Sequence, residues 1–141
     1  MMASVRGKNT KPELVVRSAL HRAGYRFRLH ARKLPGTPDI VLPKYHVIIF
    51  VHGCFWHGHD CSLFRWPSSR QEFWKRKITT NQANDLKNIA RLRDAGWRVL
   101  TVWECALKDK RRQDGKRFAD KLSEWIRGTK HRGEFIGKFS K

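Results

Sequence analysis

An uninterrupted apolar run, Val47-Ile48-Ile49-Phe50-Val51, restricts the fold of this chain more than any other segment. Its β-branched residues favour a strand, and apolar side chains on both faces of a strand require cover from both sides. Such a strand belongs inside a sheet, between helical layers. A chain of 141 residues supplies one such core rather than two. We therefore predict a single α/β domain over residues 1–128 and a basic, flexible tail over residues 129–141.

The segments around this run predict the kind of sheet. Residues 39–42 form a second short β-branched segment, and residues 43–46 separate it from the run as a turn, which predicts a hairpin. Residues 97–103 are a further predicted strand. Residues 73–95 carry apolar side chains at helical spacing and form one helix or two. Because a strand, a helix and a strand in that order make a parallel crossover, we expect a central mixed sheet flanked by helices.

Capping boxes indicate where two helices begin. Thr10 and Glu13 have this arrangement before a helix predicted over residues 11–23, with Glu13 as the return partner. Residues 69–72 repeat the arrangement before the long helix. Apolar residues at helical spacing over residues 118–126 predict a final helix.

Charge indicates the class of partner. The chain has 31 Lys and Arg residues against 12 Asp and Glu residues, a formal net charge of +19, which favours a polyanion such as nucleic acid.

The chain contains neither an apolar run long enough to span a membrane nor a signal-peptide core, so we expect a soluble cytoplasmic protein that does not bind membranes. Four basic side chains near the start of the long helix are candidate phosphate contacts, an ordinary solvated face being the alternative: Arg70, Lys75, Arg76 and Lys77.

The loop after the apolar run concentrates metal-ligating side chains. Cys54, His59 and Cys61 lie within eight residues, and the third cysteine, Cys105, follows the last predicted strand. Three thiols and one imidazole suit zinc, and a ligand set without a position for water makes a structural site. In a cytosolic protein such a cluster indicates metal rather than a disulfide. The alternative is that Cys105 is a small buried residue and the other two are free thiols.

A second site is predicted where the hairpin strands end. Asp39 begins one strand and His52 ends the other, so the Asp39 carboxylate can approach residues 51 and 52. Carboxylate oxygen suits magnesium, and an imidazole suits proton transfer. Two other interpretations stay open, because Asp39 follows Pro38 as a turn residue would and His57 could be a solvated loop histidine.

Two aromatic residues, Phe55 and Trp56, lie in the same loop. Loop aromatics usually fold back into a core. In a basic protein they are also able to stack on bases or to insert between them.

Four segments resemble successive blocks of the very-short-patch-repair (Vsr) DNA mismatch endonucleases. They are LPGTPDIVLP, VIIFVHGCFWHGHDC, EFWKRKITTNQAND and GWRVLTVWECAL, and the resemblance spans about Arg6 to Trp125. It implies a restriction-endonuclease-like core with a structural zinc. It also implies magnesium-dependent nicking of one strand of duplex DNA beside the T of a G·T mismatch, in the repair of deaminated 5-methylcytosine.

The resemblance also implies residue roles. Asp39 matches the magnesium-binding aspartate, with the Val51 backbone carbonyl as a further ligand. His52 and His57 match the two active-site histidines, and Glu13 resembles the acidic residue of the first helix that supports that site. We expect His57, supported by Glu13, to act as the base and His52 to position phosphate. The remaining matches are the zinc ligands Cys54, His59, Cys61 and Cys105 and the DNA-inserted aromatics Phe55, Trp56 and Trp74.

Two other functions stay open. A zinc-stabilised DNA-binding module without catalysis would tolerate the loss of Asp39, His52 and His57, yet all three are present. A related nickase of a defence or mobile-element system would lack a strict mismatch preference. A monomer suits a nick in a single strand, and contact with mismatch-repair proteins stays open.

Overall fold

The computed structural model describes residues 10–61, 64–108 and 115–137, and its strands form one mixed sheet. The strand order is β1 (Arg28–Leu29), β2 (Ile40–Leu42), β3 (Val47–His52), β4 (Arg98–Trp103) and β5 (Arg132–Phe135). β1, β2 and β3 are antiparallel neighbours, whereas β3, β4 and β5 run parallel. The predicted hairpin and the predicted parallel crossover are both confirmed.

The described helices lie on both faces of this sheet, as the apolar run predicts. They are α1 (Lys11–Arg22), α2 (Gln71–Asp94), α3 (Glu104–Lys108) and α4 (Gly115–Arg127). Ile49 of β3 belongs to the core cluster that contains residues of α1 and α4, whereas Ile48 belongs to the cluster that contains residues of α2. Successive side chains of β3 thus enter opposite layers of an α/β fold. None of the described helices is both long enough and apolar enough to span a bilayer.

The helix starts only partly match the capping boxes. At α1, the Thr10 hydroxyl accepts a hydrogen bond from the Glu13 backbone N–H at 3.3 Å, as predicted. At α2 the predicted box is wrong, because the cap is Arg70, which has a left-handed backbone and no side-chain cap bond. The helix begins one residue later than the box requires, which moves Ser69 out of the capping position. The Arg70 guanidinium instead lies over the Phe73 ring, at 4.4 Å.

Residues 132–135, which we expected to lie in a flexible tail, instead form the strand β5. β5 pairs with β4, and Glu134 accepts a hydrogen bond from the Trp103 indole N–H at 2.9 Å. The Arg98 guanidinium donates to three carbonyls at 2.8 Å, those of Trp125, Ile126 and Lys130, and so secures the connection into β5. The sequence of this strand is short and mostly polar, so its pattern does not predict a strand. Residues 138–141 lie outside the described residues.

Candidate active site and metal cluster

A cleft of about 980 Å³ opens where β3 ends, between the start of α1 and the middle of α2. It is lined by Asp39, Val51, His52 and His57, which the sequence predicts to act together. Glu13 does not line the cleft and is only 1% exposed. The fold thus brings four of the predicted hydrolytic residues to one solvent-accessible space.

Asp39 is held against the end of β3. Its carboxylate oxygen Oδ2 accepts a hydrogen bond from the Val51 backbone N–H at 2.7 Å. In an extended strand the N–H and C=O of one residue point to the same edge, so the Val51 carbonyl also faces the Asp39 side. Burial raises the pKa of Asp39 to about 7; the Val51 hydrogen bond acts in the opposite direction, and nearby Glu13 raises the pKa further.

Glu13 supports a different residue from the one predicted. Its carboxylate oxygen Oε2 lies 2.9 Å from His30 Nε2 and forms an ion pair with Arg17 on the next turn of α1. Three potential ligand atoms lie within 4.8 Å of one another, one each from Glu13, His30 and Asp39. The predicted support of His57 by Glu13 is therefore wrong, because Glu13 lies in the Asp39 group.

His57 is paired with Asp85 of α2. The His57 Nδ1 and Asp85 Oδ2 atoms are 2.5 Å apart. A carboxylate at Nδ1 favours the tautomer that carries its proton there, which leaves Nε2 free to accept a proton. The His52 ring stacks on His57 with centroids 3.7 Å apart and planes inclined by 5°. Burial lowers the pKa of His52, so this ring stays neutral beside its neighbour.

The loop after β3 is fastened to α2, which fixes the position of His57. The Asn81 side-chain amide donates to the Trp56 carbonyl at 2.9 Å, and the Gln82 amide donates to the Gly58 carbonyl at 3.1 Å. Gly58 has a positive φ of 60°, and a Cβ there would lie 2.6 Å from an Ile78 methyl carbon. Only glycine permits this close approach.

The three cysteines and His59 meet beyond the ends of β3 and β4. The parallel register pairs His52 with Trp103, so Cys54 and Cys105 follow their strands by the same two residues. The ligand atoms of Cys54, His59, Cys61 and Cys105 all lie within 4.8 Å of one another. Burial raises the pKa of the Cys54 thiol, so forming the thiolate there requires a nearby cation. The four residues form a group that could hold a metal ion.

Aromatic side chains cover the surface beside the cleft. The three predicted DNA-binding residues contact one another, with ring centroids 5.3 Å apart for Phe55 and Trp74 and 5.8 Å apart for Trp56 and Trp74. Phe64 stacks against Phe55, and Trp66 contacts Phe64 edge-on at 4.9 Å. Trp66 is 49% exposed, so the group continues to the surface. We call this group the aromatic cluster: Phe55, Trp56, Phe64, Trp66, Phe73 and Trp74.

Comparison with known proteins identifies the family. The profile of the family described as DNA mismatch endonuclease Vsr matches residues 1–63. The DNA mismatch endonuclease Vsr of Escherichia coli is 43% identical over 127 residues, which cover 90% of this chain and 81% of that protein. The chain belongs to the Vsr family. It is therefore a member of a family of DNA endonucleases.

Two further relatives of this Vsr-family chain are named as nicking enzymes. The type II nicking enzyme V.XorIIP of Xanthomonas oryzae is 55% identical over 109 residues, or 77% of this chain and 80% of that protein. The type II nicking enzyme V.NmeAIP of Neisseria meningitidis is 46% identical over 110 residues, or 78% of this chain and 79% of that protein.

Several site residues of this Vsr-family chain were missed by sequence reasoning. Asp85 lies on the polar side of α2 that lines the cleft with Asn81, Asn84 and Asn88, and this helical spacing of polar residues was a usable signal. His30 lies in a connection without periodicity, so no sequence pattern singles it out. Phe64 and Trp66 were the other omissions, although both closely follow the loop that carries Cys54, His59 and Cys61.

Proposed function

We propose that this Vsr-family chain nicks one strand of duplex DNA next to the T of a G·T mismatch, in a magnesium-dependent reaction that repairs deaminated 5-methylcytosine. The observation that carries the proposal is that the His57–Asp85 pair, His52 and Asp39 line one cleft. The name of the E. coli relative, a DNA mismatch endonuclease, supports the choice of substrate. A restriction-endonuclease-like core is part of the same proposal.

The histidine pair supplies the proton chemistry. The Nδ1–H of His57 donates a hydrogen bond to Asp85, so Nε2 carries the lone pair that removes the proton from the attacking water. Asp85 acts as a positioning residue, since it fixes the tautomer and stabilises the imidazolium that forms. His52, buried and stacked on His57, keeps the plane of that ring in place.

The donor set at Asp39 fits magnesium. A carboxylate and a backbone carbonyl on the same side of a strand end are hard oxygen ligands, which Mg²⁺ prefers together with water and phosphate oxygens. Asp39 and the Val51 carbonyl would hold the ion. When bound, the ion polarises the scissile phosphate and neutralises charge on the leaving oxygen.

The cysteine cluster fits a structural zinc ion. His59 Nδ1 lies 3.6 Å from Cys54 Sγ and 3.5 Å from Cys105 Sγ. Tetrahedral zinc, with its usual bond lengths to sulfur and nitrogen, separates such ligand atoms by about 3.6 Å. A closed set of four protein ligands leaves no position for water, so its role is to tie the loop after β3 to α3.

The aromatic cluster supplies mismatch selectivity. Insertion of Phe55, Trp56 and Trp74 between base pairs costs a few kcal/mol of unstacking per step, and a mispaired step costs less than a matched one. The net charge of +19 supplies affinity for the phosphate backbone, which should fall steeply with added salt. Selectivity and affinity thus come from different side chains.

A strand-resolved cleavage assay tests the proposal. Each strand of a duplex carrying G·T or G·C is labelled in turn, magnesium is added, and the wild type is compared with Asp39→Asn. We expect one nick beside the T that requires the mismatch and the Asp39 carboxylate. Binding without cleavage of any duplex, including ones with randomised flanks, would favour a non-catalytic DNA-binding module.

A nickase without strict mismatch preference is the second candidate. It is favoured by the naming of V.XorIIP and V.NmeAIP as type II nicking enzymes. The same assay separates the two functions, because equal cleavage of G·T and G·C duplexes would support this candidate and contradict mismatch repair.

A further inference from the structure

We propose that Glu13, His30 and Asp39 form a mixed carboxylate and imidazole site for a first-row divalent transition ion, with His30 as its nitrogen ligand. The proposal rests on the proposed function in that it shares Asp39 with the magnesium site. It goes further, since it names two more ligands and a class of ion that an oxygen-only site would not favour.

Three separate segments bring the ligands together. Glu13 lies in α1, His30 follows β1 and Asp39 precedes β2. The ligand atoms are within 4.8 Å of one another, and His30 Nε2 is 2.9 Å from Glu13 Oε2. An octahedral ion with bonds of about 2.1 Å separates its ligand atoms by roughly 3 to 4 Å. The His30–Glu13 distance is close to this range and the 4.8 Å limit lies above it, so binding of an ion would draw the three side chains together.

The sheet fixes His30 in this place. Its backbone N–H donates to the Asp39 carbonyl at 3.0 Å, which continues the pairing of Leu29 with Ile40. His30 also has a left-handed backbone, with φ of 49°, which is uncommon for a residue other than glycine. His30 and Asp39 both line the cleft, so an ion has access to the group from solvent.

The charges of the group favour a cation. Arg17 forms an ion pair with Glu13 and its guanidinium nitrogen lies 3.4 Å from His30 Nε2. One guanidinium balances one of the two carboxylates, so a negative charge remains when both are ionised. The competing interpretation is a closed ion-pair network in which His30 only bonds Glu13.

The ligand set selects the class of ion. Carboxylates alone suit Mg²⁺, whereas imidazole nitrogen raises affinity for first-row transition ions. Mn²⁺ combines a preference for oxygen ligands with tolerance of one nitrogen, and its unpaired electrons report on nuclei bound to it. It is therefore the probe we would use.

Pulsed electron paramagnetic resonance of the full-length, zinc-loaded protein with Mn²⁺ tests the proposal. We expect ¹⁴N modulation from one bound imidazole in the wild type, which ¹⁵N-histidine labelling converts to a ¹⁵N signal. His30→Gln should remove the modulation and weaken Mn²⁺ binding about tenfold or more. The matched control is His21→Gln, an exposed histidine on α1 that should leave both readouts unchanged. Circular dichroism verifies that each variant is folded.

Other outcomes separate this proposal from the proposed function. Modulation that survives in His30→Gln but disappears in His57→Gln would place the ion at the His52, His57 and Asp85 group and overturn the His30 site. Absence of Mn²⁺ binding, with nicking intact in Mg²⁺, would also overturn the His30 site while the proposed function stands. His30-dependent modulation in a protein that cuts no duplex would support the site and contradict the nickase.

Discussion

His57 Nδ1 and Asp85 Oδ2 lie 2.5 Å apart, across the boundary between the loop after β3 and the middle of α2. The two residues are 28 positions apart in sequence. The contact orients the imidazole that the proposed reaction uses as its base, so the long crossover helix both covers one face of the sheet and contributes to the proposed active site.

Replacing Asp85 with asparagine should reduce the rate of nicking with little change in DNA binding. Asparagine keeps the shape of the side chain but can stabilise the wrong tautomer of His57, so we expect kcat to fall by roughly 10²-fold or more. Single-turnover cleavage and a binding titration measure the two quantities. Asp94→Asn is the matched control, since Asp94 is exposed in the last turn of the same helix. Equal loss of rate in both variants would contradict a positioning role for Asp85.

The stability of the protein without added divalent ion should depend on the ionisation of Asp39. Burial raises the pKa of this carboxyl from 3.8 to about 7. Between these values the folded state retains a proton that the unfolded state has released, so the free energy of unfolding falls as pH rises from about 4 to about 7. Asp39→Asn lacks this titration and should lose less stability over that range.

Urea unfolding of the two proteins at pH 5 and pH 7.5 measures this difference. The free energy of unfolding of Asp39→Asn, relative to that of the wild type, should be higher at pH 7.5 than at pH 5. Saturating Mg²⁺ should reduce this relative gain at pH 7.5, because the ion stabilises the ionised carboxylate of the wild type. The same pH dependence in both proteins would contradict the raised pKa of Asp39.

Much of the fold could be predicted from sequence because its signals are local. The apolar run at Val47–Val51 predicts a doubly covered strand, and the crossover geometry then makes β3 and β4 parallel. β5 could not be found in this way, because Arg132, Gly133 and Glu134 carry no apolar alternation, and the strand is recognised by its backbone pairing with β4 and by the contact of Glu134 with Trp103.

Sequence placed part of the candidate site, whereas the side chains that Glu13 and His57 contact depend on tertiary structure. Cys54 and Cys105 follow adjacent strands, so their approach is a consequence of the register. The partner of Glu13 depended on tertiary structure. A capping box gave Glu13 a local role, yet its carboxylate turns to Arg17 and His30, which lies 17 residues away.

Replacing Cys105 with serine should release the proposed zinc ion and destabilise the domain. We expect about one zinc per chain in the dialysed wild type and much less in Cys105→Ser. The melting temperature should fall by roughly 10 °C, which corresponds to a loss of about 3 kcal/mol. Elemental analysis and a thermal melt measure these effects, with Ser123→Ala on α4 as the control. A dialysed wild-type protein that is folded and free of zinc would contradict the four-ligand site.

Removing the aromatic side chains nearest the cleft should reduce mismatch preference more than it reduces DNA affinity. Phe55→Ala combined with Trp56→Ala removes two members of the aromatic cluster that contact Trp74. If insertion discriminates between a mispaired and a matched step, the ratio of G·T to G·C cleavage should fall by about tenfold or more, since each stacking contact contributes roughly 1–3 kcal/mol. Low-salt binding, which depends on the basic side chains, should change less.

Ile136→Ala, which truncates a side chain that is 42% exposed and outside the cluster, is the control for loss of apolar surface. An unchanged cleavage ratio in the double variant would mean that Phe55 and Trp56 only support the loop, and selectivity would then have to come from another part of the cleft.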